Sequence, residues 1–547
     1  GDVYKRQKES GDKSRPARSA GFVGRIFRIR MGSSFDGSAA LQRPDWAAGK
    51  PPLRAEPIIG RCDRFVILVI FRLFPSRILC IAAKHMKPHF RRLGLLVIVL
   101  IACVLGRAAT DPSLRPVVIL ISVDGLSADN FADPKVDIPT IRWMAAQGAH
   151  AKRMETCFPS VTWPTHTTLV TGVHPGRHGV LGNNYFDRAQ GKKIPLLPDP
   201  LFDKEEIVKV PTIYDVAHRA GLITAGVNWP ASRNAKHLTW QIPDVGDQAI
   251  YERSTTPKLH AELKALGIPI DKQSEWAKAG NVGKAPRDWM YTRIAEHILR
   301  THQPNVLAIH LVTVDSFAHA HGGGSPEVRW AANDSDRRIR EMMDTITAAG
   351  LAPRTTFIVT ADHGFADYTK NINVDALLRQ KGMIATAGGK FTDRKVAFVS
   401  QGGAGMLYIR DAADRERIMA ELVPALRQVE GVDGVIPSGE FAQIGHRPPA
   451  ENPHEPDIFL TAKEGYSFAE NLAAKDIITP AGGTKGNHGT SAKNPLMDAT
   501  FVAWGAGIKP GVVLPQMRNI DVAPTMAAIL GLEMKDVDGR VLREILK

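Results

Sequence analysis

The sequence predicts an α/β fold: a doubly wound, mostly parallel sheet sandwiched by helices. Two observations point there. Short continuous runs rich in Val, Ile and Leu lie at 117–123, 306–312, 356–360 and 500–504, the composition of strands covered on both faces. Between them stand helical stretches at 213–220, 288–301, 335–349 and 415–429, and such alternation is the pattern of a doubly wound sandwich. In sheets of this kind ligands gather beyond the carboxyl ends of the strands. Polar residues that directly follow an apolar run are therefore the candidates for chemistry.

With 547 residues the chain exceeds the roughly 100 to 200 of an ordinary domain and accommodates one large core or two smaller ones. Its formal charge of +14 suggests nucleic acid or an anionic membrane until the charges are placed. Residues 1–109 hold 21 Lys and Arg against 7 Asp and Glu, the whole of that excess, and the remainder is formally neutral. A nucleic-acid-binding surface therefore finds no support. The basic front has another explanation. Lys87, Arg91 and Arg92 precede an apolar run at 93–106, and Ala108 and Ala109 follow it, the three parts of an export signal. The run of about 14 residues is short of the roughly 20 that cross a bilayer, so 86–109 reads as a cleaved signal peptide on an exported, periplasmic or extracellular protein. Met86 is the natural start of that signal, and 1–85 reads as spurious upstream translation. The alternative is a lipobox, Leu100-Ile101-Ala102-Cys103, in which a lipidated Cys103 supplies the only membrane attachment. Of the four cysteines only Cys157 lies in the remaining catalytic part, 110–547, which excludes an intrachain disulfide there.

Four places obey the strand-end rule. The run 117–123 ends in Asp124 and Gly125; the run beginning at 306 leads to Asp315-Ser316-Phe317-Ala318-His319; the run ending at 360 leads to Asp362-His363-Gly364; and His488 sits between glycines at 486 and 489. Each alone has an ordinary reading, as a solvated loop acid or a hydrogen-bonded histidine. Together, three acids and three histidines supply the oxygen and nitrogen ligands that zinc takes in catalytic sites. Six ligands divide into two sets of three with open positions, the arrangement of a paired-metal site with ions ~4 Å apart. Asp and His ligands also admit manganese, iron or a mixed pair.

A paired-metal site needs a nucleophile. In 160–172, Pro164 suits a first helical turn and Gly172 a C-terminal cap, which puts Thr162 at or next to the N-cap, beside free N–H groups and the positive end of the helix dipole. A neighbouring metal would lower the pKa of its hydroxyl. The stretches 241–288 and 434–453, rich in Pro, Gly and charge, read as inserts over the site.

The ordered series resembles the alkaline phosphatase superfamily, specifically its type I phosphodiesterase/nucleotide pyrophosphatase family. It comprises Val-Asp-Gly at 123–125, Thr-x-Pro-x-His at 162–166 with Leu-x-Thr-Gly at 169–172, and His178-Gly179-Val180-Leu181-Gly182-Asn183. Asn228-Trp229-Pro230, Asp315 with His319, Asp-His-Gly at 362–364, Asn-His-Gly at 487–489 and Ile520-Asp521-Val522-Ala523-Pro524-Thr525 complete it. The resemblance implies an alkaline-phosphatase-like fold and two zinc ions, one held by Asp315, His319 and His488, the other by Asp124, Thr162, Asp362 and His363. His321 is then a neighbour of the site. It further implies that Asn183 donates a hydrogen bond to a phosphoryl oxygen and that Trp163 walls the substrate pocket. The implied activity is hydrolysis of phosphodiester or pyrophosphate bonds in a small-molecule or nucleotide substrate through a phosphothreonine on Thr162. Where the nucleotide enzymes commonly read Thr-Phe-Pro-Asn, this chain reads Thr-Trp-Pro-Thr, which leaves nucleotide preference open.

Three rivals stand beside this reading. A sulfatase is rejected by register: Cys157-Phe158-Pro159-Ser160 is followed by Val161 rather than arginine, and Cys157 reads as a small buried residue. A phosphomonoesterase with the same threonine chemistry carries a Lys-x-Arg pair where this chain has Asn228-Trp229-Pro230. A catalytically inactive secreted binding protein would have no use for the full set of ligands.

Overall fold

Every residue of Val117–Val123 is buried, as a run of Val, Ile and Leu demands when helices cover both faces of a strand. The structure, a computed structural model, describes residues 115–196 and 202–547. The readings of 1–85, of the signal at 86–109 and of Cys103 fall outside the described residues.

Nine strands form the main sheet. Eight lie in the order Val512–Leu514, Ala149–Glu155, Ala499–Gly505, Thr355–Thr360, Val117–Val123, Val306–Leu311, Thr224–Trp229 and Trp240–Pro243, and Met517–Arg518 pairs beside Ala149–Glu155. The centre is parallel, with Val118 opposite both Val306 and Thr356. Ala499–Gly505, grouped by its composition with the parallel strands, instead runs antiparallel to both neighbours. Burial on two faces dictates an apolar run but not its direction. The preceding residues reach the carboxyl edge of the sheet at His488, so the next strand has to start from that edge and run back.

The four expected helices are Ile213–Arg219, Lys284–Thr301, Pro326–Ala348 and Arg415–Arg427. The third begins earlier than its apolar periodicity, because the Ser325 side chain accepts from Val328 N–H and Pro326 occupies the first turn, a strong start signal in a polar stretch. The stretch 241–288 is mostly helical, with Gln248–Ser254, Pro257–Ala265 and Gln273–Lys278.

A second sheet was not foreseen. Val396–Gln401, Ala404–Ile409, Ile458–Ala462 and Val432–Pro437 pair antiparallel in that order. Helix Arg415–Arg427 gives Ile418, Leu422 and Leu426 to its apolar cluster, along with Phe398, Leu407 and Leu460, so that helix does not flank the parallel sheet. Residues 434–437 of the expected insert are part of a strand here, and Ser438–Ile444 forms a 3-10 turn directly after it.

Candidate metal centre

Gly125 is where the main sheet opens into the site. Its φ is +73°, and a Cβ there would lie 2.5 Å from Phe365 Cε2 and 3.1 Å from the Asp315 Cα, so only glycine lets these segments meet. Its N–H donates to Asp362 Oδ1 at 3.1 Å, and Asp315 N–H donates to the Asp124 carbonyl at 3.0 Å. Three strand ends are thereby tied together, one pair by a backbone bond and the other by a backbone N–H to the Asp362 carboxylate.

Asp315 and His319 share one face of helix Thr313–His321, with His319 Nε2 3.3 Å from Asp315 Oδ1. The start of this helix is held by buried Asp288, which accepts from Val312 N–H, Thr313 N–H and, at 2.6 Å, the Thr313 hydroxyl. His488 follows strand Ile478–Asn487, which pairs antiparallel with Ala366–Asn373. It therefore leaves a β-ladder rather than a free glycine loop. A Cβ on Gly486 would lie 2.3 Å from the Ala318 carbonyl oxygen, so glycine again allows the approach.

The imidazoles are oriented alike. His488 Nδ1 lies 2.9 Å from the Ser160 carbonyl, His319 Nδ1 3.1 Å from the Gly486 carbonyl and His363 Nδ1 3.2 Å from the Gly364 carbonyl. A carbonyl only accepts, so each Nδ1 carries the proton and each Nε2 presents a lone pair inward. His319 Nε2 and His488 Nε2 then face one another at 3.1 Å, and the His363 and His488 rings stack with centroids 3.6 Å apart. His363 Nε2 is 3.4 Å from Asp124 Oδ1 and 3.1 Å from Asp362 Oδ2. Asp124, Asp362 and His363 form one ligand triad within 4.8 Å, and a second, Asp315, His363 and His488, overlaps it at His363. His319, within 3.3 Å of Asp315 and 3.1 Å of His488, completes the outer set.

Buried Asp124 Oδ1, Asp315 Oδ1, Asp362 Oδ2 and His363 Nε2 have no hydrogen-bond partner. Facing lone pairs and unpartnered carboxylate oxygens are costly when buried, and divalent cations would satisfy all of them, so the donor set fits metal. The charge balance agrees. Burial, with repulsion from Asp315, holds the Asp124 carboxyl well above its ordinary range, and burial with repulsion from Asp124 does the same to Asp362. Burial also pushes His363 well down and His488 down to about 4. For Asp315, burial is outweighed by the neighbouring imidazoles, His319 foremost, and its carboxyl is held down.

Thr162 is the first residue of helix Thr162–Thr171; the N-cap is Val161, and Gly172 closes the helix at φ 71°. Thr162, Asn183, Asp124, Asp315, His319 and His488 line one cavity of about 300 Å³. Asn183 Oδ1 accepts from Trp163 N–H at 2.9 Å, which leaves the amide NH₂ of Asn183 as its donor group. A larger depression of about 690 Å³ beside Asp375 and Arg394 holds none of these residues. Trp163, expected to wall the pocket, does not line the cavity. It is 1% exposed and packs with Val180, Leu196, Val208 and Ala231, because all ten residues of its helix are buried and the bulkiest takes a core position. Asn228 and Trp229 are fully buried at a strand end and do not line the cavity either. Cys157 is buried, its thiol pushed up to about 12 by burial.

Several residues near the site had no role assigned from the sequence, His166 among them although it closes the motif at 162–166. His310 Nε2 lies 2.9 Å from Asp124 Oδ2; as an imidazole inside an apolar strand it was a visible signal. His166 Nδ1 donates to the Thr162 carbonyl at 2.7 Å and lies 3.5 Å from Asp362 Oδ2. Its place one helical turn after Thr162 announced that proximity. Lys284, Arg287 and Asp244 also line the cavity, brought there by the helical stretch 241–288. Gln401, from the second sheet, accepts from Asn183 N–H at 3.0 Å.

Fold and site together define a hydrolase of alkaline-phosphatase-like architecture whose site residues are of metal-ligand type. More narrowly, the chain belongs to the type I phosphodiesterase / nucleotide pyrophosphatase family, whose model matches residues 118–491. It is 24% identical over 427 residues to human ectonucleotide pyrophosphatase/phosphodiesterase family member 7, covering 77% of this chain and 81% of that protein. A Schizosaccharomyces pombe pyrophosphatase/phosphodiesterase is 23% identical over 432 residues, covering 77% and 78%. The solved structure of murine ectonucleotide pyrophosphatase / phosphodiesterase 5 superposes with a TM-score of 0.61 at 18% identity, covering 79% of this chain and all of that one. A second structure of the murine protein, with the same coverage, identity and TM-score, is of an inactive threonine-to-alanine variant in complex with AMP.

Proposed function

We propose that the chain hydrolyses phosphodiester or pyrophosphate bonds of a small-molecule or nucleotide substrate, with Thr162 as nucleophile and two divalent ions, zinc by ligand type. The observation that carries this is the convergence of three inward Nε2 lone pairs and three carboxylates in one cluster, of which Asp124, Asp315, His319 and His488 line the cavity with Thr162 while Asp362 and His363 lie fully buried against Asp124. Asp124, Asp362 and His363 would hold one ion and Asp315, His319 and His488 the other; bound there, the pair supplies positive charge that lowers the pKa of a hydroxyl and neutralises phosphoryl oxygens.

The chain's own groups do the rest. The Thr162 hydroxyl oxygen attacks phosphorus in line, its proton passing to solvent water as the O–P bond forms, and the bond to the leaving oxygen breaks on the opposite side, that oxygen departing as an anion that solvent protonates. The N-terminal end of helix Thr162–Thr171 favours the anionic phosphoryl group, and the Asn183 NH₂ donates to a phosphoryl oxygen as charge grows there. Water then hydrolyses the phosphothreonine and returns the free hydroxyl. His310 holds Asp124 in place, and His166 ties the Thr162 backbone beside Asp362. The murine variant that is inactive after losing a threonine supports the assignment of Thr162. The family's relatives are named as ectonucleotide enzymes, which agrees with reading 86–109 as an export signal, and we place the enzyme outside the cytoplasm.

Purified chain assayed on bis(p-nitrophenyl) phosphate tests the proposal. Stripping metal with a chelator should abolish turnover, and zinc should restore it; full activity in protein shown by elemental analysis to be metal-free would refute it. One observation favours a second reading: Lys284 and Arg287 line the cavity, and cations suit a dianionic monoester. A higher kcat/KM on p-nitrophenyl phosphate than on the diester would move the assignment to a phosphomonoesterase.

A further inference from the structure

Away from the catalytic cavity a second set of metal-ligating side chains converges. Glu262 lies on helix Pro257–Ala265; His297 lies near the end of helix Lys284–Thr301, and His302 caps it. One carboxylate oxygen, Glu262 Oε2, is 2.8 Å from His297 Nε2 and 2.7 Å from His302 Nε2. All three ligand atoms lie within 4.8 Å of one another. The side chains are 24%, 12% and 8% exposed for Glu262, His297 and His302, so the cluster is mostly dry yet open to solvent on one side.

We propose that Glu262, His297 and His302 form a third divalent-cation site, of zinc-type ligand chemistry, that fastens the helices of the stretch 241–288 to helix Lys284–Thr301. Two imidazole nitrogens and a carboxylate oxygen are a set of three zinc ligands, with the fourth position left to water. Tetrahedral zinc with bonds of about 2.0 to 2.1 Å sets its ligand atoms about 3.3 Å apart, so both histidines need move outward by only roughly half an ångström. The ligands are also braced from behind, as ligands of bound metals commonly are. The His302 ring stacks on Trp240 with centroids 3.6 Å apart and planes at 18°. His297 Nδ1 lies 3.4 Å from the Thr301 hydroxyl, and Glu262 Oε1 lies 4.0 Å from Lys258 Nζ.

The ion's role is structural. Lys284, at the opposite end of the same helix, lines the catalytic cavity; at 1.5 Å per residue His297 is about 20 Å away along the axis. An ion so placed cannot meet the reacting phosphorus. It acts on the helical stretch that brings Asp244 and Ala277 to the cavity wall.

Equilibrium dialysis of the full chain against micromolar zinc, followed by elemental analysis, counts the ions. The double variant His297→Gln, His302→Gln should bind one ion fewer per chain than wild type, lose part of the zinc-dependent rise in Tm while the part due to the catalytic pair remains, and keep kcat on bis(p-nitrophenyl) phosphate within about twofold. Glu262→Gln should behave the same way and serves if the double variant does not fold. An unchanged zinc count, or an unchanged zinc-dependent rise in Tm, would reduce the cluster to a hydrogen-bonded bridge between helices and overturn the proposal. Asp124→Asn separates this site from the catalytic one, since it should lower the count while leaving the Glu262 site loaded.

Discussion

The two sheets differ in what their strand ends can gather. In the nine-stranded sheet, Val117–Val123, Val306–Leu311 and Thr355–Thr360 run parallel, so all three deliver their carboxyl ends, and then Asp124, Asp315, Asp362 and His363, to one edge. The four-stranded sheet is antiparallel, and alternate strands end on opposite edges. It reaches the cavity only through hydrogen bonds to residues that line it: Gln401 Oε1 accepts from Asn183 N–H at 3.0 Å, and Gly403 N–H donates to the His488 carbonyl at 2.6 Å. Each sheet region also holds a carboxyl that burial pushes upward, and what offsets that cost differs. Asp124 and Asp362 sit among inward imidazole lone pairs, where a cation would balance them. Asp375, beside the second sheet, is raised to about 6 by burial and by Glu470, a rise that Arg394, Arg379 and Lys193 oppose without cancelling. The parallel strand ends thus concentrate a frustration that bound cations would relieve, whereas buried Asp375, on helix Val374–Gln380 beside the second sheet, has no such cluster around it and costs stability.

Four substitutions would sharpen or break this contrast. Thr162→Ala should lower turnover of bis(p-nitrophenyl) phosphate on the order of 10⁴-fold, as loss of a nucleophile does, with Tm nearly unchanged; a rate within tenfold of wild type removes Thr162 from its role. His310→Ala takes away the brace on Asp124 Oδ2 and should cost about 10- to 100-fold in metal affinity or activity. Zinc titration of activity would show a right-shifted curve, and an unshifted curve with full activity would deny His310 that task. Gln401→Ala breaks the one link from the second sheet to Asn183, worth about 1 kcal/mol or roughly fivefold in kcat/KM. A loss of 100-fold would mean that the second sheet is catalytic after all.

Asp375→Asn should leave kcat untouched and change stability alone. The folded carboxyl keeps its proton up to about pH 6, while its ordinary pKa is 3.8. Its stabilising contribution is therefore complete below 3.8 and is lost as pH rises through 6. The amide does not suffer that loss, so at pH 8 the variant should be more stable than wild type by about 1 to 2 kcal/mol. Denaturant titrations at pH 8 and pH 4 check this; the difference should vanish near pH 4, and a less stable variant at pH 8 would contradict the assigned sign.

Much of the main sheet was legible because a strand covered on both faces must be apolar throughout, and four such runs stand out. The candidate ligands stood out because each succeeds a run or sits between glycines. His310 was passed over because it lies inside a run, where burial rather than chemistry explains most residues. Trp163 went to the core because helix Thr162–Thr171 has no solvent face for it to occupy. The second sheet did leave a trace: Val396–Gln401 and Ala404–Ile409 flank Gly402-Gly403, with Gly402 at φ +74°, the two-residue signal of a hairpin.

By itself, the order of residues determined which segments must be buried, which helix carries the threonine, and which acids and imidazoles can hold a cation. Periodicity, composition and side-chain chemistry decide these, and all three are local. Tertiary structure alone decided that Asp124 meets a histidine 186 residues away, that Ala499–Gly505 runs backward, and that three Nδ1 atoms find backbone carbonyls and turn their Nε2 lone pairs to one point. Pairing partners and ring orientation depend on contacts between distant segments, and no local pattern encodes those.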